Sequence, residues 1–227
     1  MNNIFMTTVL YMPDGNRRFS RENGVSLSEA YYLGGKTLKL CSQFFLVEER
    51  AKTLIYHALS NYTYQRTDLS LDPIFEATTR TFEDLTREDF FRKNGIKFKV
   101  IDHSGKLPVT LKKATETLSS STTELNEKEC IVLLGYSLDE DINSALSLNP
   151  VDYKSLRKSL IFSDIDLVLR PLEMRASGGP VYAMSNAQMI TLSNLNPEVS
   201  RKDLEQAWEE YIKLRDNKER GNPSHYK

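Results

Sequence analysis

Apolar positions along the chain change their period several times, and each change marks an element. Thr7–Met12 (TTVLYM) is a short β-rich run ending in the turn signal Pro13-Asp14-Gly15-Asn16. Ser26-Leu27-Ser28-Glu29 is a capping box. It opens a helical pattern through Ala30, Leu33, Thr37, Leu40 and Phe44. Gly34 and Gly35 lie inside that helix, each costing about 1 kcal/mol relative to Ala, so something approaches the backbone closely there. Thr53–Leu59 is nearly all apolar and reads as a buried strand. Asp72–Phe91 is helical, with Phe75, Phe82, Leu85 and Phe90 on its buried side, and stops at Asn94-Gly95. Ile96, Phe98 and Val100 alternate with lysines, as in a half-exposed or edge strand. Pro108–Leu118 is a weaker helix, Ser119–Thr123 a Ser/Thr loop and Cys130–Tyr136 a buried strand. Asp139–Leu148 and Asp152–Leu160 are short helices, and Asp164–Leu169 is another strand. In the last helix Ser200 caps, Asp203 is the acid three residues on, and Leu204, Trp208, Tyr211 and Leu214 recur at helical spacing.

Strands alternating with helices predict an α/β fold: a single domain, 1–227, with a mainly parallel central sheet flanked by helices on both faces. In such folds ligands bind beyond the carboxyl ends of the strands.

Composition narrows the function classes. The 227 residues carry 30 Lys+Arg against 31 Asp+Glu, which excludes a nucleic-acid binder driven by bulk positive charge. Cys41 and Cys130 sit in apolar patterns and read as buried thiols of a cytoplasmic protein. His57, His103 and His225 are scattered, so a zinc site is not expected. No apolar run approaches the roughly 20 residues of a membrane span. Ile4–Met12 lacks a basic flank and reads as a strand rather than a signal peptide.

The residues after each strand carry the candidate chemistry. After the first come Asp14, Gly15, Asn16, Arg17 and Arg18: a glycine permitting close approach, two guanidiniums, and a carboxylate for a cation. A polar turn followed by a solvated basic pair is the plainer reading of the same residues. After the second come Ser60, Asn61, Tyr62, Thr63, Tyr64, Gln65 and Arg66, which suit an anion beside an apolar tail or an ordinary surface loop. After Asp164–Leu169 come Arg170, Arg175 and Ser177, a second anion site or a loop of exposed arginines. Ala30–Thr37 nearly matches a phosphate-binding P-loop, but its first glycine is missing and it lies inside a capped helix. His57, mid-strand, reads as a satisfied core imidazole, and Asp139-Glu140-Asp141 as the first turn of a helix.

Met12-Pro13-Asp14-Gly15-Asn16-Arg17-Arg18-Phe19 resembles the opening motif of the cis-prenyltransferases (the undecaprenyl diphosphate synthase family), M-D-G-N-x-R-W. Ser60 and Arg66 match the family's post-strand Ser and Arg, Asp166–Arg170 its D-L-V-I-R strand, and Glu173–Ser177 its E-x-R-x-S. Within the family the likeness is to the irregular, cyclolavandulyl diphosphate synthase-like branch. It rests on Pro13–Arg18, Ser20, Asn23–Leu27 and Leu134–Leu138, with Tyr31 where elongating members have His. The resemblance implies a homodimer with a deep apolar tunnel and two diphosphate sites. The allylic substrate would lie on Gly15, Asn16, Arg17, Arg18 and Arg66, with Tyr31, Ser60 and Tyr64 nearby. The nucleophilic prenyl diphosphate would lie on Arg170, Arg175 and Ser177, and Asp14 would hold Mg²⁺. Asp14, Asn16 and Arg66 would act on the leaving group. The implied reaction is head-to-middle coupling of short allylic diphosphates such as dimethylallyl diphosphate. Regular cis-condensation with isopentenyl diphosphate, cyclase-like ionisation of one prenyl diphosphate, and a non-catalytic partner subunit are its rivals. Gln188 stands at the family's second metal carboxylate, and Lys218-Glu219-Arg220-Gly221-Asn222 replaces the terminal R-R-F-G-G.

Overall fold

The computed structural model describes residues 7–67 and 70–220. Six strands form one sheet: β1 (Thr8–Tyr11), β2 (Thr53–Ser60), β3 (Ile96–Ile101), β4 (Lys128–Tyr136), β5 (Leu167–Pro171) and β6 (Gln188–Leu192). Their order is β3-β4-β2-β1-β5-β6, and every neighbouring pair is parallel. The half-exposed strand Ile96–Ile101 is the edge its lysine alternation predicts. The chain leaves β1 for β2 on one side and later returns to the other side of β1 as β5. β1 is thus the switch point of the sheet, where loops diverge and leave a crevice at the carboxyl ends.

The helices are α1 (Asn16–Asn23), α2 (Leu27–Ser42), α3 (Asn61–Tyr64), α4 (Asp72–Arg87), α5 (Phe90–Lys93), α6 (Val109–Ser120), α7 (Leu138–Leu146), α8 (Tyr153–Ser159) and α9 (Arg201–Arg220). Ser26 caps α2 by accepting from the Glu29 amide, and α2 runs on into a π-helical turn, Gln43–Val47. The pattern over Asp72–Phe91 divides into two helices because Asp89, at φ 54°, breaks it. Residues 16–23 contain one apolar side chain, Phe19, so α1 has no periodic signature in the sequence. β5 begins at Leu167, three residues later than the pattern suggests, and β6 is a short strand outside the predicted set.

The two faces of the sheet differ. Leu54 and Tyr56 of β2 point into a large core shared with α2, α4, α6 and α9. Ile55 points into a smaller one, closed mainly by Phe162 and Ile165 from irregular chain and by Ala183 and Met184 from a 3-10 turn. Helices therefore dominate one face rather than both. Glu48, beyond the π turn, accepts hydrogen bonds from Arg201 (2.9 Å from Nη2 to Oε2) and is also paired with Arg50, tying α9 to the end of α2. No helix among the described residues is long and apolar enough to cross a membrane. The segment Ile4–Met6, His225 and, but for the backbone of 218–220 at the end of α9, the tail Lys218–Asn222 lie outside the described residues.

Candidate active site

Strand β1 delivers the first motif into the crevice. Gly15 sits at φ 97° as the cap of α1, a conformation that L side chains rarely adopt, and a Cβ there would come within 2.7 Å of Leu195 Cδ2. No side chain caps this helix, and its first turn carries Arg17 and Arg18. Asp14 Oδ1 accepts from the Gly15 amide at 2.7 Å.

Beneath the motif lies a buried polar network that sequence reasoning missed. Asn196 is fully buried and uses every group it has. Its Nδ2 donates to Asn16 Oδ1 (3.0 Å) and Gly34 O (3.2 Å), and its Oδ1 accepts from Tyr11 OH (2.9 Å). Its backbone amide donates to Asp14 O (2.8 Å), and its carbonyl accepts from Thr37 Oγ1 (2.9 Å). Gly34 explains the glycine inside α2: a Cβ would fall 2.3 Å from Asn16 Oδ1 and 2.6 Å from Asn196 Nδ2. At Gly35 it would fall 2.3 Å from Thr81 Oγ1, so α2 and α4 touch there. Asn194-Leu195-Asn196-Pro197 looks like a surface turn in sequence, and nothing in it signals a buried hub.

The β5 exit holds Arg170, which is buried rather than exposed, with 5% of its side chain accessible. Nη2 donates to Asp14 Oδ2 at 2.5 Å, and Nη1 to Arg175 O (2.9 Å) and Ser177 Oγ (2.5 Å). One guanidinium thus joins the first motif to the third. Arg175 is solvent-exposed and paired with Glu173 at 3.1 Å. Ser177 adopts φ 45° and Gly178 φ 74°, two successive left-handed residues.

Asp14, Gly15, Asn16, Arg17, Arg18, Tyr31, Ser60, Arg66, Arg170, Arg175 and Ser177 all line one open cleft of about 1070 Å³. Arg21, which sequence reasoning did not single out, lines it too. Among the described residues lining it, six arginines stand with two carboxylates, Asp14 and Glu173, so this lining is cationic. Tyr31 is largely buried, and burial raises its pKa, which keeps the hydroxyl protonated. Two candidates fall elsewhere. Tyr64 does not line the cleft, because the single turn α3 directs Tyr62 and Thr63 to it and packs Tyr64 on Phe75 (centroids 6.0 Å apart). Gln188 pairs with Leu167 as the first residue of β6. In a parallel sheet that is the amino end, several residues of strand rise from the cleft, so within one chain Gln188 does not meet Asp14. His57 is also not the satisfied core group expected: it lines the cleft, and its Nδ1 has no partner.

A smaller apolar pocket shares Pro13, Asn16, Tyr31 and Ala58 with the cleft. Leu38, Tyr56, Ile74, Thr81 and Phe82 close it, and its volume is about 40 Å³. It is small where the family resemblance implies a deep tunnel, and Gly35 of α2 lines it close to Thr81 of α4.

For a metal ion, the described residues contain no group of three or more His, Cys, Asp or Glu placed to hold one. Mg²⁺ commonly takes only one or two protein carboxylates and completes its shell with phosphate oxygens and water. Asp14, partly exposed at the cleft, fits that substrate-bridged mode.

A parallel α/β sheet whose switch point opens onto a cationic cleft backed by an apolar pocket defines a class of protein built for ligands with an anionic head and an apolar tail. Residues 12–219 match the prenyltransferase family model for undecaprenyl diphosphate synthases, and the chain belongs to that family. It is 28% identical to a tritrans,polycis-undecaprenyl-diphosphate synthase (geranylgeranyl-diphosphate specific) of Sulfurisphaera tokodaii, over 95% of this chain and 88% of the relative. A similarly named enzyme of Sulfolobus acidocaldarius is 27% identical over 91% and 85%. Among solved structures, lavandulyl diphosphate synthase from Lavandula x intermedia in complex with dimethylallyl diphosphate has the same fold. Its TM-score is 0.81 at 20% identity, covering 92% of this chain and 96% of that one.

Proposed function

We propose that this prenyltransferase couples short allylic diphosphates, head to middle, with dimethylallyl diphosphate as the allylic substrate. The observation that carries the reading is the size of the apolar pocket beside the first motif. A single water needs about 10–15 Å³ in this measure, so 40 Å³ holds roughly three or four such spheres. That suits a five-carbon tail better than the twenty-carbon tail of the geranylgeranyl diphosphate named for the archaeal relatives.

The allylic diphosphate would lie on the α1 amides, Arg17, Arg18 and Arg66, with its tail against Tyr31 and Ala58. The second diphosphate would lie on Arg175 and Ser177, with Arg170 beneath them as their organiser. The C1–O bond breaks with its electron pair going to diphosphate. The π pair of the second substrate forms the new C–C bond. A proton then leaves the resulting cation, and its C–H pair restores a double bond. Bound Mg²⁺ would supply charge neutralisation of the departing diphosphate, held from the protein by Asp14. Asn16, fixed from below by Asn196, would set the position of the leaving group.

Regular condensation with isopentenyl diphosphate is the second reading, favoured by the names of the archaeal relatives. The α7–α8 region exposes Leu146, Leu148, Val151, Tyr153 and Ile161, which supports a homodimer formed through that region. Incubating pure protein with dimethylallyl diphosphate and Mg²⁺, alone and with isopentenyl diphosphate, separates the readings by mass spectrometry. A ten-carbon diphosphate from dimethylallyl diphosphate alone is the expected result. Products only when isopentenyl diphosphate is present would favour the second reading.

A further inference from the structure

Where the smaller core meets the cleft, β2 carries His57, between Tyr56 and Ala58. The ring is 6% exposed and meets Tyr136 edge-on at 6.3 Å between centroids. Its hydrogen bonding is confined to one contact: Nε2 lies 3.3 Å from Ser177 O, while Nδ1 has no partner. A carbonyl can only accept, so Nε2 carries the proton and donates. Burial pushes the pKa down to about 4, which keeps the ring neutral at ordinary pH.

The acceptor is the strained residue of the third loop. Ser177, at φ 45°, is a non-glycine residue in the left-handed region, followed by Gly178 at φ 74°. Such conformations cost energy and persist when the surroundings over-determine them. Two contacts supply that here. One is the His57 donor from below. The other is the close seat of Gly178 on the second loop, where a Cβ would lie 2.9 Å from Tyr62 Cδ2 and 3.2 Å from Ser60 Cβ. The Ser177 hydroxyl, meanwhile, accepts from Arg170 Nη1. The same turn bonds the Gly179 amide to Ala176 O at 2.7 Å and the Val181 amide to Gly179 O at 2.8 Å.

We infer that His57 is a positioning residue: its single hydrogen bond to Ser177 O holds the Ser177–Gly178 turn so that Ser177 and Arg175 present one anion site to the cleft. The inference rests on the reading of that loop as the second diphosphate site. The ring need not touch substrate; it acts through the carbonyl it holds.

Two substitutions separate the hydrogen bond from the volume. His57→Phe keeps a ring and removes the donor, and His57→Gln places an amide N–H near Nε2. Hydrogen exchange followed by mass spectrometry reads the turn directly, and calorimetric titration with inorganic diphosphate reads the site. His57→Phe is expected to speed exchange at the Gly179 and Val181 amides about tenfold, with β2 and β4 at wild-type rates. It is also expected to weaken diphosphate binding about tenfold, to the level of Arg175→Ala. His57→Gln restores both. If the Phe ring prevents folding, His57→Leu, also without a donor, takes its place. Unchanged exchange in the donor-free variant overturns the inference, as does equal loosening in the Gln variant. If exchange responds and Gln rescues it, but neither His57→Phe nor Arg175→Ala alters diphosphate binding, His57 still positions the turn and the second diphosphate site is what fails.

Discussion

Two polar regions meet at Asp14 and follow opposite rules. Below it, the network around Asn196 is closed: the side-chain amide and both backbone groups of Asn196 are satisfied by Tyr11, Asn16, Gly34, Asp14 and Thr37. Above it, the described lining of the cleft carries six arginines and two carboxylates. A fully satisfied buried network rigidifies its surroundings, whereas a surplus of cations on a wall leaves charge for a ligand to neutralise. The site is thus a neutral, self-sufficient foundation carrying a cationic surface. Asp14 belongs to both, its carbonyl to the foundation and its carboxylate to the cleft.

The sharpest break in that division is Asp14→Ala, which removes the carboxylate and leaves the backbone contact to Asn196 in place. Steady-state assay should show turnover falling roughly a thousandfold, about 4 kcal/mol of barrier, with a circular dichroism spectrum like wild type. A rate within tenfold of wild type would remove Asp14 from the chemistry. Asn196→Ala attacks the foundation instead. It strands the Tyr11 hydroxyl and the Asn16 amide oxygen, while the Gly34 carbonyl keeps its bond from the Tyr56 hydroxyl, at roughly 2 kcal/mol in all, so thermal unfolding should begin about 6 °C lower. A shift under 2 °C would mean that water replaces the side chain without cost.

Arg175→Ala tests the surface side. Removing one exposed charge-assisted contact should weaken diphosphate binding by roughly 1.5–3 kcal/mol while melting stays at the wild-type temperature. Loss of stability equal to loss of binding would erase the distinction between the two regions.

Acid should produce the smallest effects, in two stages. His57 titrates near 6.5 when unfolded but near 4 when buried, so the unfolded chain takes up its proton first and stability falls as pH drops from about 6.5 to about 4. Glu48 is held near 2 by its hydrogen bonds to Arg201 and then Arg50, against burial that acts the other way, so its contribution, present above pH 4.5, is lost between about 4.5 and 2. Melting temperatures across this range should drop a few degrees at each stage, with His57→Gln abolishing the first and Glu48→Gln the second. A single transition unaffected by either substitution would assign acid sensitivity to other groups.

Much of the foundation's backbone was legible in the sequence, and little of its polar wiring. Five of the six strands announced themselves by apolar or alternating runs, and Ser26 caps α2 as its position suggests. The cost of Gly34 and Gly35 inside a helix pointed to a close approach, and Asn196 and Thr81 are what approaches. The partners themselves could not be read, because hydrogen bonds between residues 180 positions apart leave no local pattern. Exposure was equally hidden. Arg170 and Arg175 look alike in sequence, yet one is buried in a knot of acceptors and the other faces solvent. The place of Gln188 was hidden too, because a short edge strand, β6, sets it by register at the amino end of the sheet.

The glycine pair of α2 gives the substrate pocket an asymmetric capacity for change. On the α2 side, positions 34 and 35 already hold the smallest residue, and any replacement drives a methyl group into Asn16, Asn196 or Thr81. If the pocket holds the allylic tail as proposed, room for longer substrates can be made on α4, where Thr81 and Phe82 can still be trimmed without touching the network under Asp14. Pocket depth and leaving-group geometry are heritable through separate helices, so a descendant of this chain can alter the length of what it joins while keeping the machinery that joins it.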